Sequence, residues 1–265
     1  MENALRGRAP ETAASVRFPC DTCPAREPDH PGLAKLRRMP SHISPARPRR
    51  LKEPLSPKLA ASLTTGDLPD GDLEEDGTYT STEFRGVDLT SRDADGVEFD
   101  GCRFVDTRFS GTAMRRGGFS NVELERCDLS GMTAVTTSMH RARVSASRLT
   151  GMTWSECGFK DVTFEGCRAD LTGFRFSTFK NVVFRDCAMP EVNFQNADLK
   201  GVRFEHCNLA GAQFSGAQME GARFADCVLL RISGVTSLRG VTIKSRDAQG
   251  LVYSLAGAMG ITIEE

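Results

Sequence analysis

The residues best suited to chemistry in this sequence are two cysteines near its start. Cys20 and Cys23 stand in the segment Phe-Pro-Cys-Asp-Thr-Cys-Pro. Two thiolates at this spacing can reach one tetrahedral zinc ion, and His30 and His42 could supply two more ligands. The spacing fits no standard zinc finger and the neighbourhood is rich in proline, so the favoured interpretation is a free pair. We therefore predict no metal and no cofactor, with zinc as the alternative.

Seven further cysteines follow a regular spacing in the rest of the chain. Cys167, Cys187, Cys207 and Cys227 recur at every twentieth position, and Cys127 belongs to the same series. Cysteine is a small and often buried hydrophobe, and here it stands where alanine and valine stand elsewhere, so we expect it to pack in a core. No Ser-His-Asp grouping or glycine-rich phosphate loop is readable. The sequence therefore predicts neither an enzyme nor a small-molecule substrate.

The elements that position these residues are set by a period of five. Every fifth residue from Phe84 to Leu229 gives 30 positions, of which 27 carry a large apolar side chain. A helix would turn such positions around its cylinder, and a strand alternates with period two, so neither keeps period five on one face. The residue two after each centre is Gly, Asn or Asp in 18 of the 30 units, and these types tolerate positive φ. The unit is thus a short strand followed by a corner.

These units resemble the pentapeptide-repeat family, whose pattern is A(D/N)LXX. Near-ideal units are Ala197 to Gly201 (Ala-Asp-Leu-Lys-Gly), Cys127 to Gly131 (Cys-Asp-Leu-Ser-Gly) and Cys207 to Gly211 (Cys-Asn-Leu-Ala-Gly). The resemblance implies an all-β fold, a right-handed quadrilateral parallel β-helix with four units per coil. Thirty units then make about 7.5 coils. The side chains expected to stack in its core are Phe84, Phe104, Phe164, Phe184, Phe204, Phe224, Cys167, Cys187, Cys207 and Cys227.

The composition divides the chain into three parts. Residues 1–58 hold 10 of the 12 prolines and a net charge of +6, whereas residues 59–78 carry six acids and no base. Such a segment buries too little apolar surface to fold, so we predict that 1–78 is a disordered tail, basic and then acidic. Residues 79–232 form the predicted β-helix. Residues 233–265 are the predicted C-terminal cap, made of a strand, a helix and a short strand.

The predicted cap has a helical pattern. Leu251, Val252, Leu255 and Met259 follow helical spacing, which is typical of one face of a helix. A solenoid must cover its terminal turn, because the last coil would otherwise expose unpaired backbone groups. We therefore expect these residues to cap the stack, and the alternative adds a homodimer contact through the same segment.

Charge and composition constrain the function. The net charge is −1, no stretch is long and apolar enough to span a membrane, and no secretory signal is readable. Nine cysteines without such a signal favour a reducing cytoplasm. Our first hypothesis is therefore a cytoplasmic, non-enzymatic protein-interaction scaffold whose partner the sequence does not identify.

Two alternatives remain open. The family resemblance implies a DNA-mimicking binder of DNA gyrase or another topoisomerase, but this requires an acidic surface, and residues 79–230 hold 18 basic and 20 acidic residues. A further alternative is association with nucleic acid through the basic tail, in which Arg47, Arg49, Arg50 and Lys52 form the densest cluster.

Overall fold

The computed structural model of the chain describes residues 52–66 and 73–264. The weak zinc candidates Cys20, Cys23, His30 and His42 lie outside the described residues, as do Arg47, Arg49 and Arg50 of the basic cluster. The predictions made for them therefore stay predictions.

Each five-residue unit is a short extended segment that ends in a left-handed residue. Gly101 and Gly111 have φ of 65° and 69° at such corners, and Asn121 has φ of 51°. The corner amide then bonds to the next coil, as in the bond from Asn121 N to His140 O at 2.9 Å. After four corners the chain lies directly above its own start, which turns the sequence period into a four-sided tube.

The coils stack as parallel strands in a constant register. Phe84 lies beside Phe104, and Phe164 beside Phe184. The coil length does not change through the body of the tube, so every column of side chains runs parallel to the axis. The strands among the described residues are β1 (Thr64–Thr65), β2 (Thr78–Thr80), β3 (Thr82–Arg85), β4 (Asp93–Asp95), β5 (Glu98–Asp100), β6 (Arg103–Val105), β7 (Ala113–Arg115), β8 (Gly118–Ser120), β9 (Glu123–Glu125), β10 (Thr133–Val135), β11 (Ser138–Ser145), β12 (Thr153–Ser155), β13 (Gly158–Glu165), β14 (Thr178–Arg185), β15 (Arg203–Glu205), β16 (Arg223–Ala225) and β17 (Thr242–Ile243).

The fold is the predicted parallel β-solenoid. It has about nine turns, whereas the thirty repeats alone predicted about 7.5 coils. At its start, β1 pairs with β3 through Thr64 and Thr82. At its end, β17 pairs with β16 through Thr242 and Arg223. Both of these end coils are shorter than the coils of the body, and the stack begins before residue 79 and continues beyond residue 232. Backbone hydrogen bonds build these outer coils without the five-residue apolar pattern, so the period alone does not mark their ends.

The core is a set of stacked aromatic columns. The ring centroids of Phe164, Phe184, Phe204 and Phe224 follow one another at 4.8, 5.2 and 4.9 Å, with interplanar angles of 10° or less. Trp154 and Phe174 also lie fully inside the tube. Offset and edge contacts between rings add to the burial of their apolar area, so this core accounts for much of the stability of the stack.

The C-terminal part closes the upper end of the tube. It contains a 3-10 turn (Val235–Leu238), β17, the helix α1 (Ser245–Ala248), a second 3-10 turn (Gln249–Leu251) and the helix α2 (Val252–Ala258). Asp247 is buried, and its carboxylate accepts a hydrogen bond of 3.0 Å from Cys227 N on the last coil. The short terminal strand predicted here is absent from the described residues: residues 261–264 pair with no strand, and Ile261 N instead donates to Ala256 O of the preceding helix at 2.8 Å.

Candidate protein-interaction surface

The predicted core residues lie inside the tube. All six phenylalanines are at most 1% exposed, and the four cysteines are buried and free of disulfides. In the predicted cap, Leu251 is buried against the last coil, whereas Val252, Leu255 and Met259 are exposed. The structure therefore assigns one of these four residues to packing and leaves three on the surface.

The buried cysteines donate hydrogen bonds to backbone carbonyl oxygens. The thiol of Cys187 donates to the carbonyl oxygens of Arg185 at 3.2 Å and Phe164 at 3.6 Å, and its neighbours repeat this pattern. Burial raises the pKa of the Cys127 and Cys157 thiols to about 11. The thiolate is the reactive form, so these side chains are protonated packing groups at neutral pH.

Two columns of outward-facing side chains alternate in charge. On one side of the tube the order is Glu83, Arg103, Glu123, Arg143, and on the next side it is Asp88, Arg108, Asp128, Arg148. Arg103 Nε lies 2.9 Å from the Glu123 carboxylate, and Arg108 lies 3.3 Å from that of Asp88. We call these two sets the alternating ladders. Opposite charges face each other between coils, so each acid of a ladder has a base beside it within the protein.

A third column carries three lysines in succession. His140, Lys160 and Lys180 are direct neighbours on successive strands, Lys200 follows one coil above at the same interval, and the acid Glu220 follows Lys200. The three lysines are exposed. We call His140 and the three lysines the lysine ladder. Sequence reasoning missed it, although the recurrence of lysine at every twentieth position was a readable signal.

Two corners of the tube carry large apolar side chains. Leu171 and Phe176 both have φ of 57°, and they are 60% and 49% exposed. The guanidinium of Arg175 lies 5.4 Å from the centre of the Phe176 ring. Leu171 and Phe176 lie at two successive corners. We call these three residues together the apolar corner. The signal in the sequence was that Leu and Phe stand where Gly, Asn and Asp usually stand.

A segment before the first strand runs along the outside of the tube. We call residues 52–58 the strap. Leu55 N donates to the Asp161 carboxylate at 3.3 Å, and Lys58 N donates to the Asn121 side-chain oxygen at 3.4 Å. These two partners are two coils apart, about 9.6 Å, which matches three residues of polyproline II backbone at about 3.1 Å each. The strap therefore fits the spacing of the coils.

Glu53 anchors the upper end of the strap. Its carboxylate lies 2.7 Å from Arg203 and 3.5 Å from Arg185. The hydrogen bond from Arg203 and the charges of both arginines hold the pKa of Glu53 below its usual value. The Arg203 side chain is only 7% exposed and lies beside Arg223 on the next coil, so Glu53 supplies a counter-charge at a point where two arginines stack.

The C-terminal helix and the residues after it form an apolar exposed segment. Tyr253 is 63% exposed and Met259 is 74% exposed, and Val252, Ile261 and Ile263 are also exposed. Apolar side chains gathered in this way mark contact surfaces more often than isolated ones do.

Within residues 52–66 and 73–264, no group of three or more His, Cys, Asp and Glu side chains is arranged to hold a metal ion. In the same part of the chain, no helix has the length and apolar character needed to cross a membrane.

Two family models match the repeats. The model described as "Pentapeptide repeat region" matches residues 137–214 and 159–233, and the model described as "Pentapeptide repeats (8 copies)" matches residues 82–117 and 95–131. Together the two models cover 82–131 and 137–233. No curated protein matches the chain.

Solved structures with the same architecture are only distantly similar in sequence. QnrB1, a plasmid-mediated fluoroquinolone resistance protein, is 20% identical; the match covers 76% of this chain and 95% of that chain, with a TM-score of 0.39. HetL from the cyanobacterium Nostoc, involved in the regulation of heterocyst differentiation, is 18% identical, covering 58% of this chain and 88% of that chain with a TM-score of 0.30. At these values the likeness carries no argument about function.

Proposed function

This chain belongs to the pentapeptide-repeat family, and on that premise we propose that it is a non-enzymatic scaffold that binds another protein. The observation that supports this function is the apolar corner of Leu171, Arg175 and Phe176. Aromatic and arginine side chains are enriched at the energetic centres of protein interfaces, and this corner places one of each in contact at the surface.

The backbone of the apolar corner argues against a purely structural role. A left-handed conformation costs a residue other than glycine roughly 1–2 kcal/mol, and Asn or Asp lose less because their side chains bond locally. Leu171 and Phe176 recover little of this cost by burial, since about half or more of each side chain remains exposed. A partner that covers these two side chains would bury their apolar surface and so offset the cost of the backbone conformation.

The test replaces both residues with one that suits the corner. Leu171→Asn with Phe176→Asn removes the apolar surface and relieves the backbone, so the fold should be at least as stable as that of the unaltered chain. Proteins captured from the native host by the tagged full chain should then be lost from the variant. The measurement is quantitative mass spectrometry of the two captures at equal bait.

The matched control uses the same columns of corners. Glu156 lies one coil below Phe176 and Glu191 one coil above Leu171. Glu156→Asn with Glu191→Asn should leave the captured proteins unchanged. Capture that is equal for all three forms would contradict the proposed binding surface.

A gyrase-binding DNA mimic is the alternative, and the surface charges disfavour it. Duplex DNA is a dense and continuous line of negative charge. The alternating ladders instead place a base beside each of their acids. We therefore expect the full chain to leave gyrase supercoiling unaffected at micromolar concentrations. Inhibition below one micromolar in a supercoiling assay would favour the alternative.

We also propose that the exposed C-terminal segment forms a homodimer contact. Tyr253→Lys with Met259→Lys should convert a dimer into a monomer in sedimentation velocity experiments, because both side chains are exposed in the single chain. A monomeric unaltered chain would end this proposal without affecting the apolar corner.

The free thiols support one cellular compartment for the scaffold. Seven cysteines in the described residues are free. Free thiols persist in reducing compartments, so they support a cytoplasmic location for the scaffold.

A further inference from the structure

The lysine ladder differs from the other charged columns of the tube. Charges of like sign that face each other across neighbouring strands are destabilising. Where two arginines stack elsewhere, an acid lies beside them: Glu53 contacts Arg203 at 2.7 Å, and Asp170 contacts Arg168 at 2.6 Å. These acids offset the repulsion between the arginines.

Within the described residues, Lys160 and Lys180 have no such partner. No ion pair forms at either ammonium group in residues 52–66 and 73–264, although the side chains are exposed on adjacent strands. Lys200 reaches Asp198 at 3.2 Å, so only this end of the ladder is neutralised. Lys160 and Lys180 therefore present two adjacent positive charges to solvent that no ion pair among the described residues compensates.

The surface on one side of the ladder carries small side chains. The outward positions two residues before Lys160 and Lys180 are Gly158 and Thr178, which lie next to each other on β13 and β14. Both residues are small, so they leave the backbone of this side of the tube accessible. On the other side of the ladder the strap lies against the corner residues Asp161 and Asn181. A chain of anionic groups can thus approach the ladder from the side of Gly158 and Thr178.

We propose that the lysine ladder binds the phosphodiester backbone of a nucleic acid. The distance from Lys160 to Lys200 is about 10 Å at about 4.8 Å per strand, which corresponds to about three nucleotide steps at about 3.4 Å per strand. Three nucleotide steps join four phosphates, so each of the three lysines can contact a phosphate over this span without reading the base sequence.

The residue type is compatible with phosphate. Lysine offers a compact point charge with rotatable donors and binds phosphate without a fixed geometry, whereas the planar fork of arginine binds carboxylate or phosphate in a bidentate geometry. The carboxylates of the alternating ladders are indeed met by arginine, as at Arg103 and Arg108. The proposed site is independent of the apolar corner and of the proposed protein partner.

The test compares two triple variants of the full chain that lose the same charge. One is Lys160→Gln, Lys180→Gln, Lys200→Gln, and the other is Arg108→Gln, Arg148→Gln, Arg168→Gln. The probe is a fluorescent DNA duplex of about two helical turns, measured by anisotropy over a series of salt concentrations from about 50 to about 200 mM.

The lysine variant should bind at least tenfold more weakly at the lowest salt concentration. The slope of log affinity against log salt should fall in magnitude by about 2.7, which is about 0.9 for each of three phosphate contacts. The arginine variant should stay within twofold of the unaltered chain. Equal affinities of the two variants would overturn the proposal, because binding would then run through other residues.

Two further measurements keep the proposal testable. Lys180→Glu, a single change at an exposed position, should also weaken binding at least tenfold if the triple variant does not fold. Poly-glutamate that competes as well as the duplex at equal charge would overturn recognition of phosphate in favour of an acidic protein.

Discussion

The alternating ladders and the lysine ladder lie on the same tube and have the same spacing between coils. Neighbouring charges have opposite signs in the alternating ladders and the same sign at Lys160 and Lys180 in the lysine ladder. In the alternating ladders, the inner residues such as Arg108 and Glu123 meet an opposite charge on the coils above and below. In the lysine ladder, Lys160 meets Lys180. The backbone imposes the stacking on both, so the difference lies in the side chains alone. A column that neutralises itself contributes to stability, whereas adjacent charges of one sign are available to an external anion.

The largest expected effect comes from breaking the register that both kinds of ladder share. Phe204 is fully buried between Phe184 and Phe224. Phe204→Ala should lower the free energy of unfolding by about 3–5 kcal/mol, because it leaves a cavity in a stacked core. Chemical denaturation measures this change. Lys200→Ala, an exposed control, should stay within about 0.5 kcal/mol, and equal effects would mean that inward and outward positions are wrongly assigned.

The next largest effect on stability is expected in the strap. Glu53 supplies the counter-charge to Arg203, which lies beside Arg223. Glu53→Gln should cost about 0.5–1 kcal/mol at pH 7, the range of an exposed ion pair. Interaction with Arg203 lowers the pKa of Glu53 from its ordinary value of 4.5. The stabilisation is therefore fully present above about pH 4.5 and is lost as the pH falls through the lower pKa of the folded state.

Unfolding curves of the two proteins from acidic to neutral pH test this dependence. The difference between the unaltered chain and Glu53→Gln should shrink toward low pH. A difference that is constant over this range would show that the charge of Glu53 does not hold the strap.

Reversing one charge in an alternating ladder should destabilise the protein. Arg108→Asp places three acids in one column, Asp88, position 108 and Asp128. Each like-charged contact costs a few tenths of a kcal/mol, so we expect a loss of about 0.5–1 kcal/mol at low salt. The loss should diminish at about 1 M salt, where exposed charges are screened. A stabilised Arg108→Asp protein would contradict the role of alternation.

The smallest expected effect has the opposite sign. Lys180→Glu converts the lysine ladder into an alternating one, with an acid between Lys160 and Lys200. We expect a gain of about 0.2–0.5 kcal/mol, measured by denaturation at low salt. A loss of stability here would show that the lysine ladder is not a source of repulsion, and the comparison between the two ladders would fail.

Much of the interior followed from the sequence. The five-residue period placed Phe84, Phe164 and Phe204 inside, and the recurrence of cysteine at every twentieth position agrees with the four units per coil that the family resemblance implied. These predictions hold because an inward position tolerates only apolar or small side chains, so burial produces a repeated apolar pattern in the sequence. This pattern is lost at the ends of the tube, where β1 and β17 join the stack through backbone hydrogen bonds.

The outward columns show where sequence reasoning stops. The amino-acid sequence by itself determined the tube, its four sides and its core, since one local rule is repeated in every unit. Only the tertiary structure decided that Glu53 reaches Arg203, that Leu171 and Phe176 stay uncovered, and that Lys160 lies beside Lys180 without a counter-charge among the described residues. Solvent accepts nearly any side chain, so most outward positions carry no repeated residue type. The recurrence of lysine at every twentieth position is readable, but the groups that reach these side chains from elsewhere become known only when the coils are stacked.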